Sequence, residues 1–100
     1  MKNYLDWVIS DGRLVILRAL AEEMDNTLNE TLISRVLDAF GHKWAHDRVR
    51  DQLNWLSEMG AVKLTEAGSV QIASLTRRGL DHVERRTTIE GVARPSIPEA

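Results

Sequence analysis

Cysteine is absent from this 100-residue chain, and proline occurs only twice. The first absence excludes a disulfide scaffold, a zinc finger or ribbon, an iron–sulfur cluster and a thiol nucleophile. Both prolines, Pro95 and Pro98, lie near the C-terminus, so proline breaks no earlier segment. Long apolar runs are missing as well. Leu14 to Leu17 is the longest near the N-terminus, far short of a membrane span. Lys2, Tyr4, Asp6 and Trp7 leave no room for a signal-peptide core, so residence in the cytoplasm and no membrane partner are expected. A glycine-rich phosphate loop, a nucleophile elbow and a zincin-type histidine pair are all lacking. Neither enzyme chemistry nor a cofactor is therefore expected.

Charge of one sign is also scarce. Thirteen lysines and arginines against fifteen acids give a net charge of −2, which excludes nucleic-acid binding by bulk charge but not by a local patch. The hydrophobic share of 43% and charged share of 28% are those of an ordinary globular protein. A chain of 11.3 kDa exposes roughly 5,700 Å² folded against roughly 16,400 Å² unfolded, enough burial for one core and not for two.

What the chain does have is a recurring helix start. A cap residue is flanked by an apolar residue before it and another four positions after it, the hydrophobic staple. Ser10 lies between Ile9 and Leu14, Asn29 between Leu28 and Ile33, and Thr76 between Leu75 and Leu80. Ala45, a poor cap, lies between Trp44 and Val49. Helices are expected just after residues 10, 29, 45 and 76. Asp25-Asn26 stops the first after Met24, and Gly41 and Gly60 stop the second and third as C′ glycines. Within these limits the apolar positions recur at helical spacing: Ile16, Leu17, Leu20 and Met24; then Leu32, Ile33, Val36, Leu37 and Phe40; then Val49, Leu53 and Leu56.

After Gly60 the period changes to two. Val62 and Leu64, then Val70 and Ile72, flank the polar turn Thr65 to Ser69, which reads as a short hairpin. Leu28 supplies a short third strand, and Thr76 opens a last helix through roughly Arg86. The fold class is thus mainly α with a small β-hairpin (α+β), a winged helix-turn-helix over residues 10–86. An N-terminal helical extension covers 1–9, and a flexible, extended or disordered tail covers 87–100.

Several stretches resemble small winged-helix proteins encoded by Mu-like transposable phages and prophages. They are Asp11-Gly12-Arg13-Leu14-Val15-Ile16-Leu17-Arg18-Ala19-Leu20, Leu28-Asn29-Glu30, and Asp47-Arg48-Val49-Arg50 with Leu53-Asn54-Trp55-Leu56. Leu75-Thr76 with Arg78-Gly79-Leu80 and the tail Gly91-Val92-Ala93-Arg94-Pro95 extend the match to nearly the whole chain. The resemblance implies a bacteriophage setting in a bacterial host and a fold similar to ArsR-type regulators. It implies no settled activity, and the thiolate metal sites of some ArsR-like sensors need the cysteine this chain lacks.

In a winged helix the third helix enters the DNA major groove and reads bases from its N-terminal part. Here His42, Lys43, His46, Arg48 and Arg50 cluster at its start, with Asn54 further along. Arg50 is the candidate guanine reader, with Lys43 and Arg48 on phosphates. The competing reading is a solvated face of Asp47–Arg50 and Arg48–Asp51 pairs. Asp47, Asp51 and Glu58 on the outward side oppose DNA. His42 and His46 are four apart but fall in a turn, so no metal site is expected.

A second basic patch comprises Arg77, Arg78, Arg85 and Arg86 in a segment, 76–100, whose five arginines face four acids. It reads either as a phosphate or acidic-partner site or as a solvated face. Tyr4, Leu5, Trp7, Val8 and Trp55 are candidates for a homodimer interface, because tryptophan and tyrosine are enriched in interface cores. Burial against the first helix is the alternative. The function expected is that of a phage-derived DNA-binding protein, a transcriptional regulator or DNA-packaging accessory, with duplex DNA and a second copy as partners. The alternative is a protein-interaction module that docks another phage protein and binds no DNA.

Overall fold

Asn3 and Asp6 begin the first helix by capping each other. The Asn3 side chain accepts the Asp6 amide at 3.0 Å, and the Asp6 carboxylate accepts the Asn3 amide at 3.2 Å. In the computed structural model, which describes residues 3–96, helix α1 therefore runs unbroken over Tyr4–Glu22. The separate extension expected over 1–9 and the start at Ser10 are corrected by this. Ser10 lies buried inside α1, and its hydroxyl donates to the Trp7 carbonyl at 3.1 Å. The pattern that mimics a cap there is the buried face of one long helix. Residues 1 and 2 lie outside the described residues.

The later starts fall where the staples place them. Strand β1 is Thr27–Asn29, and Asn29 caps helix α2, Glu30–Ala39, by accepting the Leu32 amide. Helix α3 is His46–Glu58 behind Ala45, which makes no side-chain cap. Strands β2, Val62–Ala67, and β3, Val70–Leu75, form a longer hairpin than expected, with Gly68 and Ser69 as its turn. Helix α4 is Arg77–Val83, capped by Thr76. The sheet is antiparallel in the order β1-β3-β2, with Leu28 opposite Ala73 and Leu64 opposite the same residue from the other side. The observed element order is the expected one, including the short third strand at Leu28. No helix of the described residues is long and apolar enough to cross a membrane.

All three later helices end in the same hydrogen-bond pattern. The Gly60 amide donates to Ser57 and Ala61 to Leu56; the Gly41 amide donates to Asp38 and His42 to Leu37. Helix α4 closes likewise, but Arg85 takes the left-handed position at φ 65 where the others place glycine. The helix therefore stops at Val83, short of Arg86.

Ile16, Leu17, Leu20, Ile33, Leu37, Leu53 and Leu56 form the centre of the core. The tail expected to be extended or disordered from Thr87 belongs to that core as far as it is described. Ile89 and Val92 are buried, and the Ala93 amide donates to the Ser10 carbonyl. Buried His82 fixes this return. Its Nδ1 accepts the Ile89 amide at 3.0 Å, so Nε2 carries the proton and donates to the Ala93 carbonyl at 2.9 Å. Pro98 lies outside the described residues.

Candidate nucleic-acid interface

Val49, Leu53 and Leu56 seat α3 on the core, which leaves Asp47, Arg48, Asp51, Asn54 and Glu58 facing solvent. Beside this face stands the β2–β3 hairpin. The two are joined by a residue that the sequence did not single out. Glu30, in the first turn of α2, is only 3% exposed. Its carboxylate accepts two hydrogen bonds from the Arg50 guanidinium, at 2.7 and 2.8 Å, and one from the Gln71 amide at 2.8 Å. Arg50 also donates to the Ser69 carbonyl in the hairpin turn. One carboxylate thus ties α2, α3 and the hairpin together.

The electrostatics follow from the geometry. The Arg50 hydrogen bonds hold the Glu30 carboxyl below the usual carboxylate range, against the opposing effect of burial. The Arg50 guanidinium is correspondingly pushed up by Glu30. His46 adds a longer contact to Glu30 at 3.6 Å, its side chain still 65% exposed. The expected Asp47–Arg50 pairing gives way to this bidentate one, because Glu30 offers a desolvated partner and Asp47 a solvated one.

The candidate residues separate accordingly. Lys43, His46, Arg48 and Asn54 are exposed, Asn54 accepting from the Gln71 side chain at 3.4 Å. Arg50, expected to be free for a base, is instead bound to Glu30. His42 is turned away, its side chain 10% exposed, donating to Asp11 of α1 at 2.7 Å and packing against Trp44. His42 and His46 therefore serve different carboxylates, and among the described residues no three metal-ligating side chains gather.

The second basic patch is largely committed within the chain. Arg78 donates to the Met59 carbonyl at the end of α3, and Arg85 to the Pro95 carbonyl. Arg86 pairs with Glu84 and Asp81, and Arg77 with Asp81. The interface candidates divide too. Tyr4, Leu5 and Trp7 are 79%, 51% and 61% exposed and Val8 is half-buried. Trp55, by contrast, is covered by its own chain: the Arg13 guanidinium stacks 3.6 Å from its ring centroid, and Gly91 packs against its edge. Arg13 also donates to Gln52 and to the Gly91 carbonyl, which holds the tail in place.

Two of the proteins to which the chain is similar are phage or bacterial. It is 40% identical over 90 residues to the uncharacterized protein gp26 of Escherichia phage Mu, covering 90% of this chain and 93% of that one. It is 35% identical over 79 residues to an uncharacterized protein of Haemophilus influenzae, covering 78% and 76%. The chain matches no protein-family model. Among solved structures the fold is similar to that of RosR. The hsRosR-S1 complex matches at 26% identity and a TM-score of 0.64, over 74% of this chain and 65% of that chain. RosR of H. salinarum, grown from NaBr, matches at 26% identity and a TM-score of 0.65, over 75% and 67%. The match thus spans about two thirds of the RosR chains.

Proposed function

We propose that this chain, which belongs to the family of phage Mu gp26, is a winged helix-turn-helix protein that binds duplex DNA. It acts as a transcriptional regulator or DNA-packaging accessory in the cytoplasm of the bacterial host. The observation that carries this reading is the Glu30 bridge, which fixes the hairpin as a wing beside the outward face of α3. The likeness to RosR supports the fold assignment. Lys43 and Arg48 take phosphates, while His46 in the first turn of α3 and Asn54 further along it face the bases. Arg50 is a positioning residue that sets wing against helix. Contact concentrates at the start of α3, because Asp51 and Glu58 repel the groove walls further along. The reading assigns no catalytic step.

A second reading, a protein-interaction module, rests on a specific observation. With Arg50 withdrawn, Asp47, Asp51 and Glu58 dominate the exposed face of α3. Fluorescence titration of labelled duplex DNA at two salt concentrations separates the two. DNA binding predicts an affinity that falls with salt, with a log–log slope of about −0.9 per phosphate neutralised. Exchanging Lys43 or Arg48 for alanine then reduces the slope by about one each, uniformly across sequences. No binding at low salt overturns the first reading and favours the second.

A further inference from the structure

Between α1 and α2 runs an open groove of about 710 Å³. Its walls are Leu14, Val15 and Ala19 on one side and Leu32, Val36 and Phe40 on the other. Leu32 and Phe40 are 44% and 68% exposed, high values for side chains of this size. At 3.6 residues per turn, Tyr4, Trp7 and Val8 lie within about 60° of the line through Asp11 and Arg18, on the same face of α1 that forms the groove wall. The exposed aromatics and the apolar walls of the groove thus share one face of α1, with Asp11, Arg18 and Glu22 set among them.

We infer that this surface joins two copies of the chain about a two-fold axis, with their first helices antiparallel and crossing between Leu14 and Val15. Three observations fix that occupant. The first is charge. Antiparallel helices crossing there set residues 11 and 18 opposite each other, so Asp11 of each copy meets Arg18 of the partner subunit. Asp11 and Arg18 are exposed on the groove face, and the two-fold axis makes the pair twice. The second is shape. The same register carries Trp7 over residue 22 of the partner subunit, the end of the groove lined by Glu22, Leu28 and Leu32. The arm that protrudes from one copy thus fills the gap in the other.

The third is area. Aromatic side chains bury about 150–250 Å² each, so the exposed parts of Tyr4, Trp7 and Phe40 supply on the order of 400 Å² per copy. Doubled across the axis and joined by Val8, Leu32 and the groove walls, this passes the roughly 1,000 Å² that a specific interface needs. The inference stands on its own and does not depend on DNA binding.

Sedimentation velocity of the full chain at micromolar concentrations tests it. A dimer is expected. Arg18→Asp places like charges across the axis and should give a monomer with an unchanged far-ultraviolet circular dichroism spectrum. The double exchange D11R/R18D restores the pair with its signs reversed and should restore the dimer. Trp7→Ser should raise the dissociation constant at least about tenfold. If Asp11→Arg unfolds the chain by removing the partner of His42, Arg18→Asp and Trp7→Ser decide the matter. A monomeric parent chain, or a dimer indifferent to both Arg18→Asp and Trp7→Ser, overturns the inference.

Discussion

Helix α2 separates two regions built on opposite terms. Towards α3 and the hairpin it presents Glu30, a charge taken out of water and supplied with every partner it needs from its own chain. Towards α1 it presents Leu32 and Phe40, apolar groups left largely in water, beside Val36, which is half-buried against the core. A buried carboxylate costs several kcal/mol unless it is paired, so its presence shows that the geometry around it is fixed. An exposed Phe costs the isolated chain little in folding, and its burial is still available to another molecule. The polar region therefore carries information about how this chain is shaped, and the apolar one about what it meets.

Glu30→Ala breaks that contrast hardest. It strips Arg50 of its bidentate partner and leaves the Gln71 amide without an acceptor. The thermal midpoint should fall by about 10 °C or more, and amide exchange should rise first in the hairpin. A midpoint within a degree of the parent would mean that the bridge is incidental. Gly91→Ala comes next. Gly91 sits at φ 96, and a Cβ there would press on the Trp55 ring. A loss of about 1–3 kcal/mol in chemical denaturation is expected, with the tail loosened from α1.

The third effect is pH-dependent. The Glu30 carboxyl is held below its ordinary value in the folded chain, so its contribution is fully present above about pH 4.3. As pH falls from there through the folded value, that contribution is lost. Urea midpoints measured down this range should drop more steeply in the parent than in Glu30→Gln, and equal slopes would contradict the pairing. The smallest effect is expected at Trp7. Its ring is 61% exposed, so Trp7→Ser should change the stability of the dilute monomer by less than about 0.5 kcal/mol. A larger loss would place the ring in the chain's own core and remove the contrast between the two regions.

Much of this was legible along the chain, and the exceptions share a cause. The starts of α2, α3 and α4, and the glycine stops of α2 and α3, rest on residues within five positions of one another. The hairpin rests on two short alternating runs on either side of one polar turn, Thr65 to Ser69. The start of α1 was misplaced because Ile9-Ser10 and Leu14 satisfy the staple spacing while lying on the buried face of a longer helix. The Asn3–Asp6 capping box was the local signal that placed it earlier. Helix α4 ends before Arg86 with no sequence signal, because Arg85 adopts the left-handed position without the glycine that announces it. The tail was missed because its order depends on Ile89 and Val92 reaching α1 and on His82 binding both Ile89 and Ala93. None of those contacts has a period.

In the candidate site, exposure was legible from the sequence and partnering was not. Lys43 in the loop before α3, and His46, Arg48 and Asn54 on α3 itself, are exposed. Arg50 is bound to Glu30, a partner twenty residues earlier in sequence. An acidic residue directly after the Asn29 cap suits the helix dipole, and nothing in that local pattern points to Arg50.

The central claim is that α3 and its wing meet DNA. Backbone amide shifts in a two-dimensional nuclear magnetic resonance titration with a short duplex test it most directly. The account predicts that Lys43, His46, Arg48, Asn54 and the hairpin turn at Gly68 and Ser69 move, while Trp7, Leu32 and Phe40 stay in place. Shifts confined to the α1–α2 groove, or none at low salt, would contradict it.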